Sequence, residues 1–313
     1  MQFFKSTHID FIGNRKKIFL VSALFLVITI AAFIYRGGPN YGIDFTGGIL
    51  MQISFEKEIT DLQDVRNAIE DVKITSFELQ TSENLIMIRA KTNLESQEEF
   101  EKNIKESIQN KFPNNHIKVE RIEYVGPSVG KYLSKQALYA FFFAFIGMIV
   151  YIAFRFKSSL WGIASVLGII HDVVISFGFV ILANKEVNIT VVAALLTVAG
   201  YSINDTIVLF DRIKENLRFS SKETFGNIIN KSINEVLVRT VVTSLTVFIV
   251  ASSLFFFGGE VIHTFAYIMV IGTVLGVYST IFLCTPLVYE WEVRRNNRLK
   301  MALKQGVVNS KKK

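Results

Sequence analysis

Six uninterrupted apolar runs constrain this chain more than any other feature. They are Ile18–Tyr35, Ala137–Phe154, Leu160–Leu182, Ile189–Phe210, Thr240–Gly258 and Phe265–Tyr289. A bilayer core takes about 20 apolar residues as a helix, and backbone amides in lipid must be satisfied internally, so the runs predict six transmembrane helices. The composition, 50% hydrophobic with 28 Phe and 4 Pro, agrees with a membrane protein and not with a soluble domain. Arg36-Gly37-Gly38-Pro39 offers no small-residue cleavage site after the first run, which therefore reads as an uncleaved anchor.

Lys and Arg set the orientation. Lys5, Arg15, Lys16 and Lys17 precede the first run, Arg155 and Lys157 separate the second from the third, six basic residues lie in 211–239, and eight follow Tyr289. The turns at 184–188 and 259–264 hold one basic residue between them. Residues 1–17 and 290–313 are thus expected in the cytoplasm, and 36–136 outside it. Segment 37–130 carries 16 acidic against 10 basic residues, so the net charge of +7 marks topology and gives no continuous basic patch for nucleic acid.

Segment 36–136 reads as strand, helix, strand, strand, helix, strand. Gly48–Phe55, Phe77–Thr81, Leu85–Ala90 and Ile117–Tyr124 have strand patterns. Asp61–Val72, with Thr60 as N-cap, and Phe100–Lys111 have helical spacing, and Ser82-Glu83-Asn84 suggests a hairpin turn. That is the order of an α+β ferredoxin-like domain, a fold that hosts many unrelated functions. The remaining stretch, Lys222–Val238, predicts an amphipathic helix on the cytoplasmic membrane surface.

Charges inside lipid cost about 2.5–3.5 kcal/mol each, which singles out Asp205 and Asp172. Asp205 lies near the cytoplasmic end of the fourth span, and Arg239 near the start of the fifth on the same side, so the two are expected to share one depth and to meet. Thr197, Tyr201 and Asp205 recur at four-residue steps with Asn204 alongside, and Arg239, Thr243 and Thr246 form a second polar stripe. Two such stripes suggest a wet seam in which an acid exchanges protons; a permanent structural pair, or an Arg239 that snorkels, is the plainer alternative. Asp172, beside His171 near the midplane, is a further relay candidate, while His171 also fits a satisfied core histidine.

Tyr41–Gly48 holds Gly42, Asp44, Gly47 and Gly48, and Val125–Gly130 holds Gly126 and Pro127. We read these as the joints entering and leaving the external domain; no Lys-Ser/Thr follows the glycines, which disfavours phosphate cradling. Gly272 and Gly276 form a small-xxx-small step for close helix packing. The lone Cys284 excludes an internal disulfide framework, and no metal-site, nucleophile-elbow or P-loop pattern occurs, so no enzyme activity, metal or cofactor is expected.

Several segments together resemble the SecF family of the bacterial Sec preprotein translocase: YGIDFTGG at 41–48, VGPS at 125–128, His171-Asp172, AGYSINDTIVLFDRIKEN at 199–216, FFFGGE at 255–260 and GVYSTIF at 276–282. Thr280 stands where that family usually has serine, and both carry a hydroxyl. The resemblance implies membership of the resistance-nodulation-division superfamily, a SecD partner forming the other pseudo-symmetric half, and the SecYEG channel and translocating polypeptide as further contacts. It also implies late-stage export in the bacterial inner membrane driven by the proton-motive force, with protons carried at Asp205 and Arg239. An autonomous proton-driven exporter of the same superfamily is the alternative.

Overall fold

The computed structural model describes residues 9–56, 62–70, 72, 76–82, 85–91, 97–156, 158–219 and 223–310. The chain divides into two compact units, Tyr41–Tyr139 and the remainder.

In the smaller unit, helix α2 (Ile43–Thr46) leads into strand β1 (Gly48–Phe55), followed by α3 (Leu62–Glu70), β2 (Ser76–Ser82), β3 (Leu85–Lys91), α4 (Gln97–Lys111) and β4 (Ile117–Val125). The strands lie in the order β2-β3-β1-β4, every neighbouring pair antiparallel, which is the ferredoxin-like arrangement predicted. Register follows the apolar alternation: Met51 pairs with Ile88, and Ile53 with Ile86. With Ile49 and Ala90 these side chains form one sheet face. Val65 and Ile69 from α3 and Phe100, Ile104 and Ile108 from α4 close over that face with no exposed surface. Thr60 and the turn residues Glu83 and Asn84 lie outside the described residues.

Six helices among the described residues are long and apolar enough to cross a membrane. They are α1 (Arg15–Arg36), α5 (Pro127–Phe156), α6 (Ser159–Leu182), α7 (Ile189–Phe219), α8 (Phe225–Phe257) and the run of α9 (Glu260–Ser279), a π-helical turn (Thr280–Cys284) and α10 (Thr285–Ser310). On α7 the buried residues Val191, Ala194, Leu195, Val198, Ser202, Asp205, Thr206 and Leu209 recur at helical spacing, so one stripe faces the interior. Small residues allow that stripe to approach its neighbours closely. A Cβ on Gly272 of α9 would come 2.2 Å from Val198, and one on Gly178 of α6 would come 2.3 Å from Thr29 of α1.

Two expected elements differ locally. The segment Val125–Gly130, expected as a linker, enters α5 at Pro127, a first helical position where its missing N–H costs nothing. Lys222–Val238 is not a separate surface helix. Thr224 caps the 33-residue helix α8, which runs unbroken from Phe225 into the fifth span. Its apolar stripe packs on protein: Ile229 and Ile233 join a core with Phe11, Ile12 and Ile213, and Phe225 stacks on Tyr289.

Hydrogen bonds hold that extension on both sides. Asn230 Oδ1 accepts from the backbone of Phe11 and Ile12, and Asn234 brackets Ile9 through both its amide atoms. Asn216 and Arg212 of α7 donate to Glu235, each at 2.7 Å.

Candidate functional site

Asp205 sits on the inner stripe of α7 and is 3% exposed. Among the described residues its carboxylate accepts one bond, from Ser244 Oγ of α8 at 3.2 Å, and that same hydroxyl oxygen accepts from the Tyr201 hydroxyl at 2.7 Å. Tyr201 is half-buried and one turn before Asp205, so a chain of hydroxyls leads from the edge of the bundle to the carboxylate.

Arg239 does not complete this site. It is exposed and makes no ion pair with Asp205 among the described residues. The reason is helical phase: Arg239 precedes Ser244 by five residues, which places it roughly 140° around α8 from the side chain that meets Asp205. Thr240, four residues before Ser244, is the buried neighbour on the inner face.

The other polar residues of the two stripes turn outward as well. Thr197, Asn204, Thr243 and Thr246 are exposed on the bundle surface. The three threonines satisfy their hydroxyls within their own helices, Thr197 on Ala193 O, Thr243 on Arg239 O and Thr246 on Thr243 O. The stripes thus separate into an inner set, Tyr201, Asp205 and Ser244, and an outer set around Arg239.

Asp172 forms a second polar centre with no exposed surface. Oδ2 accepts from Ser202 of α7 and Ser279 of α9, both at 2.6 Å, and Oδ1 lies 2.9 Å from His171 Nδ1. Three helices therefore meet on one carboxyl group. Beside it, Thr280 opens the π-helical turn and shares a 2.8 Å hydrogen bond with Thr206. The hydroxyl noted at position 280 is thus an interhelical contact. Ser202, Ser244 and Ser279 escaped the sequence reading because a lone serine in an apolar span carries no periodic signal. The available signal was adjacency, Ser202 lying three residues before Asp205 and Ser279 next to Thr280.

The glycine-rich joints lie within the smaller unit. Gly42 has ordinary extended backbone at φ −71° and caps α2, whose first turn contains Asp44. Gly47 and Gly48 have φ of +70° and +126°. A Cβ on Gly47 would meet Pro127 Cα at 3.1 Å, and one on Gly130 would meet Gly47 N at 3.0 Å, so the two segments touch backbone to backbone. Gly126 is open, with one atom at 3.9 Å. A Cβ on Gly48 would lie 2.6 Å from Ala90 O. Gly48→Ala is expected to cost about 1–3 kcal/mol through backbone strain alone, whereas Gly126→Ala stays within about 1 kcal/mol. Apparent melting temperatures of the two variants in detergent check this.

The fold and these buried carboxyl groups define a polytopic membrane protein with one ferredoxin-like domain and ionisable groups inside its helix bundle. Residues 103–294 match the family described as protein export membrane protein SecD/SecF, C-terminal, and residues 34–59 match the SecD/SecF GG motif. Protein translocase subunit SecF of Endomicrobium trichonymphae is 72% identical over 311 residues, covering 99% of this chain and 100% of that one. The protein of the same name from Calditerrivibrio nitroreducens is 43% identical, covering 90% and 94%. A crystal structure of SecDF, a translocon-associated membrane protein from Thermus thermophilus, superposes with a TM-score of 0.82 at 30% identity. That match covers 91% of this chain but 39% of the SecDF chain, so the present chain spans about two fifths of that polypeptide's length. The chain belongs to the SecF family and is a multi-pass protein of the bacterial inner membrane.

Proposed function

We propose that this chain is a subunit of the Sec protein-export machinery that works with SecD and uses the proton-motive force to promote late translocation of polypeptide from the SecYEG channel. Its termini lie in the cytoplasm and its ferredoxin-like domain outside, as the Lys and Arg distribution favours. Family membership supports the export role, and the SecDF match supports a partner, because a separate SecD would supply the remaining length of that chain.

The observation that carries the proton reading is Asp205, a buried carboxyl group with a single donor and no cation in contact among the described residues. An intramembrane acid so placed is costly unless it takes up a proton. Once protonated, its hydrogen would be donated to Ser244 Oγ. The Ser244 hydroxyl must then aim its own hydrogen elsewhere, while its oxygen can still accept from Tyr201 at the second lone pair. Loading and unloading Asp205 thus changes how α7 packs on α8. Arg239 takes a different place from the one its charge suggested. Like Thr197, Asn204, Thr243 and Thr246 it is exposed on the membrane-spanning helices, where SecD would cover these polar groups. Asp172 of α6 meets the same buried stripe of α7 through Ser202.

Co-purification in mild detergent tests the assembly. Cysteines at Asn204 and Thr243 are expected to cross-link to SecD, and recovery of this chain alone, with small-molecule efflux in proteoliposomes, would favour the autonomous exporter. Ser244→Ala, which removes the one donor to Asp205, is expected to slow export severalfold with the SecD complex intact. Unchanged export would remove the hydroxyl chain from the mechanism.

A further inference from the structure

The buried pair His171–Asp172 has a feature that the three-helix contact does not explain. His171 Nδ1 faces Asp172, but its other ring nitrogen, Nε2, is buried and meets no hydrogen-bond partner among the described residues, in a residue that is 5% exposed. The ring lies against Tyr278, whose hydroxyl is engaged elsewhere, with Ser22 and Ile18 O of α1. Among the described residues, the titratable groups facing the pair from the helices around it are Tyr278 of α9 and Cys284 of the π-helical turn, neither of them a cation. Asp205 turns toward α8.

Each protonation state of this pair leaves a different polar group unsatisfied. With the hydrogen on Nδ1 donated to Asp172, the imidazole is neutral, the carboxylate retains its full charge, and Nε2 is an unfilled acceptor. Adding one proton at Nε2 gives an imidazolium beside a carboxylate. The pair becomes neutral overall, and the unmet group is now an N–H donor. A buried net charge and a buried unmet donor are both costly, so taking up the proton exchanges one penalty for the other. The carboxylate also fixes the ring: by accepting at Oδ1 it holds the hydrogen on Nδ1 and leaves Nε2 as the basic nitrogen.

We propose that His171 Nε2 is a second proton-binding atom of this protein, separate from Asp205, and that Asp172 is its positioning residue. This rests on the proton-driven reading above and extends it to the centre of the bundle. Proton uptake at Nε2 changes the charge seen by the hydroxyls of Ser202 and Ser279. Ser279 is the last residue before the π-helical turn Thr280–Cys284, where the helix already departs from regular geometry. Such single wide turns commonly mark functional bends. Thr285 Oγ1 donates to the Thr280 and Ile281 carbonyls at 2.7 and 2.9 Å, supporting the irregular turn. The contact most sensitive to the histidine's charge thus lies where α9 hands over to α10.

The chain contains four histidines, so nitrogen-15-histidine spectra of the full-length protein in lipid nanodiscs are assignable, with His171→Gln identifying one signal set. As the pH is lowered over the range in which the protein stays folded, the His171 signals are expected to change from neutral with hydrogen on Nδ1 to doubly protonated. In Asp172→Leu, which removes the acceptor that asparagine would keep, the fixed tautomer is expected to disappear, and in Asp205→Asn the change is expected to persist. Should Asp172→Leu fail to fold, Ser279→Ala serves instead: it leaves the ring and carboxyl in place and must still shift both His171 nitrogen signals. A His171 that keeps one neutral form throughout, or whose signals ignore both Asp172→Leu and Ser279→Ala, overturns the proposal. Failure of the export reading shows separately, as proton-driven export that survives Asp205→Asn.

Discussion

Asp205→Asn is expected to abolish the acceleration of export by the proton-motive force while leaving the membrane assembly intact. Asparagine keeps the size of the side chain and still accepts from Ser244, so the packing of α7 on α8 is preserved. It cannot cycle between charged and neutral forms. One charge moved through 100 mV is worth about 2.3 kcal/mol, so losing one coupled proton removes up to about a fiftyfold driving factor at that potential. The measurement is export into inverted vesicles with and without an imposed proton gradient, at matched levels of SecD complex. A gradient response equal to that of the unmodified protein would reduce Asp205 to a structural acid. Arg239→Ala provides a contrast. Because Arg239 is exposed and unpaired with Asp205 within this chain, its removal is expected to weaken SecD binding before it alters the stability of the isolated chain, as read by co-purification yield and melting temperature.

The second large effect is steric. Gly272 of α9 packs against Val198 of α7, a residue with no exposed surface, and a Cβ would come 2.2 Å from one methyl and 2.7 Å from the other. Gly272→Ala is expected to cost about 1–3 kcal/mol by overpacking, and Gly272→Leu to prevent a stable bundle. Val198→Ala removes the clashing methyls, so the double variant Gly272→Ala with Val198→Ala is expected to regain most of the loss, the coupling expected of touching residues. Gly200→Ala, on the same helix as Val198 but with nothing within 4 Å of its Cβ, is expected to stay within about 0.5 kcal/mol. Melting temperatures in one detergent rank the four proteins. If Gly272→Ala behaves like Gly200→Ala, the α7–α9 interface is looser than described.

Much of the architecture was readable along the chain. Hydrophobic length located all six spans. Alternation located the four strands to within a residue or so, because one face of each strand must be apolar in a sheet covered on that side. Helix ends were less legible. α7 and α8 continue past the bilayer length into polar sequence, since an amphipathic stripe packs as well on another helix as on a membrane surface. Ile229 and Ile233 show this by burying themselves against Phe11 and Ile12. Among the site residues, the acids were identified by the cost of charge in lipid, and that rule is local. Their partners were not, because which side of a helix meets which neighbour depends on packing phase.

Hydrophobic length, strand alternation and the expense of buried charge are properties of short stretches, so the sequence by itself determined six spans, one ferredoxin-like domain and the two acids worth attention. The pairing of Asp205 with Ser244 instead of Arg239, and the convergence of Ser202 and Ser279 on Asp172, join residues from separate helices. Only the tertiary structure decided those contacts, because a rotation of one helix by a fraction of a turn, which no local pattern encodes, exchanges one partner for another.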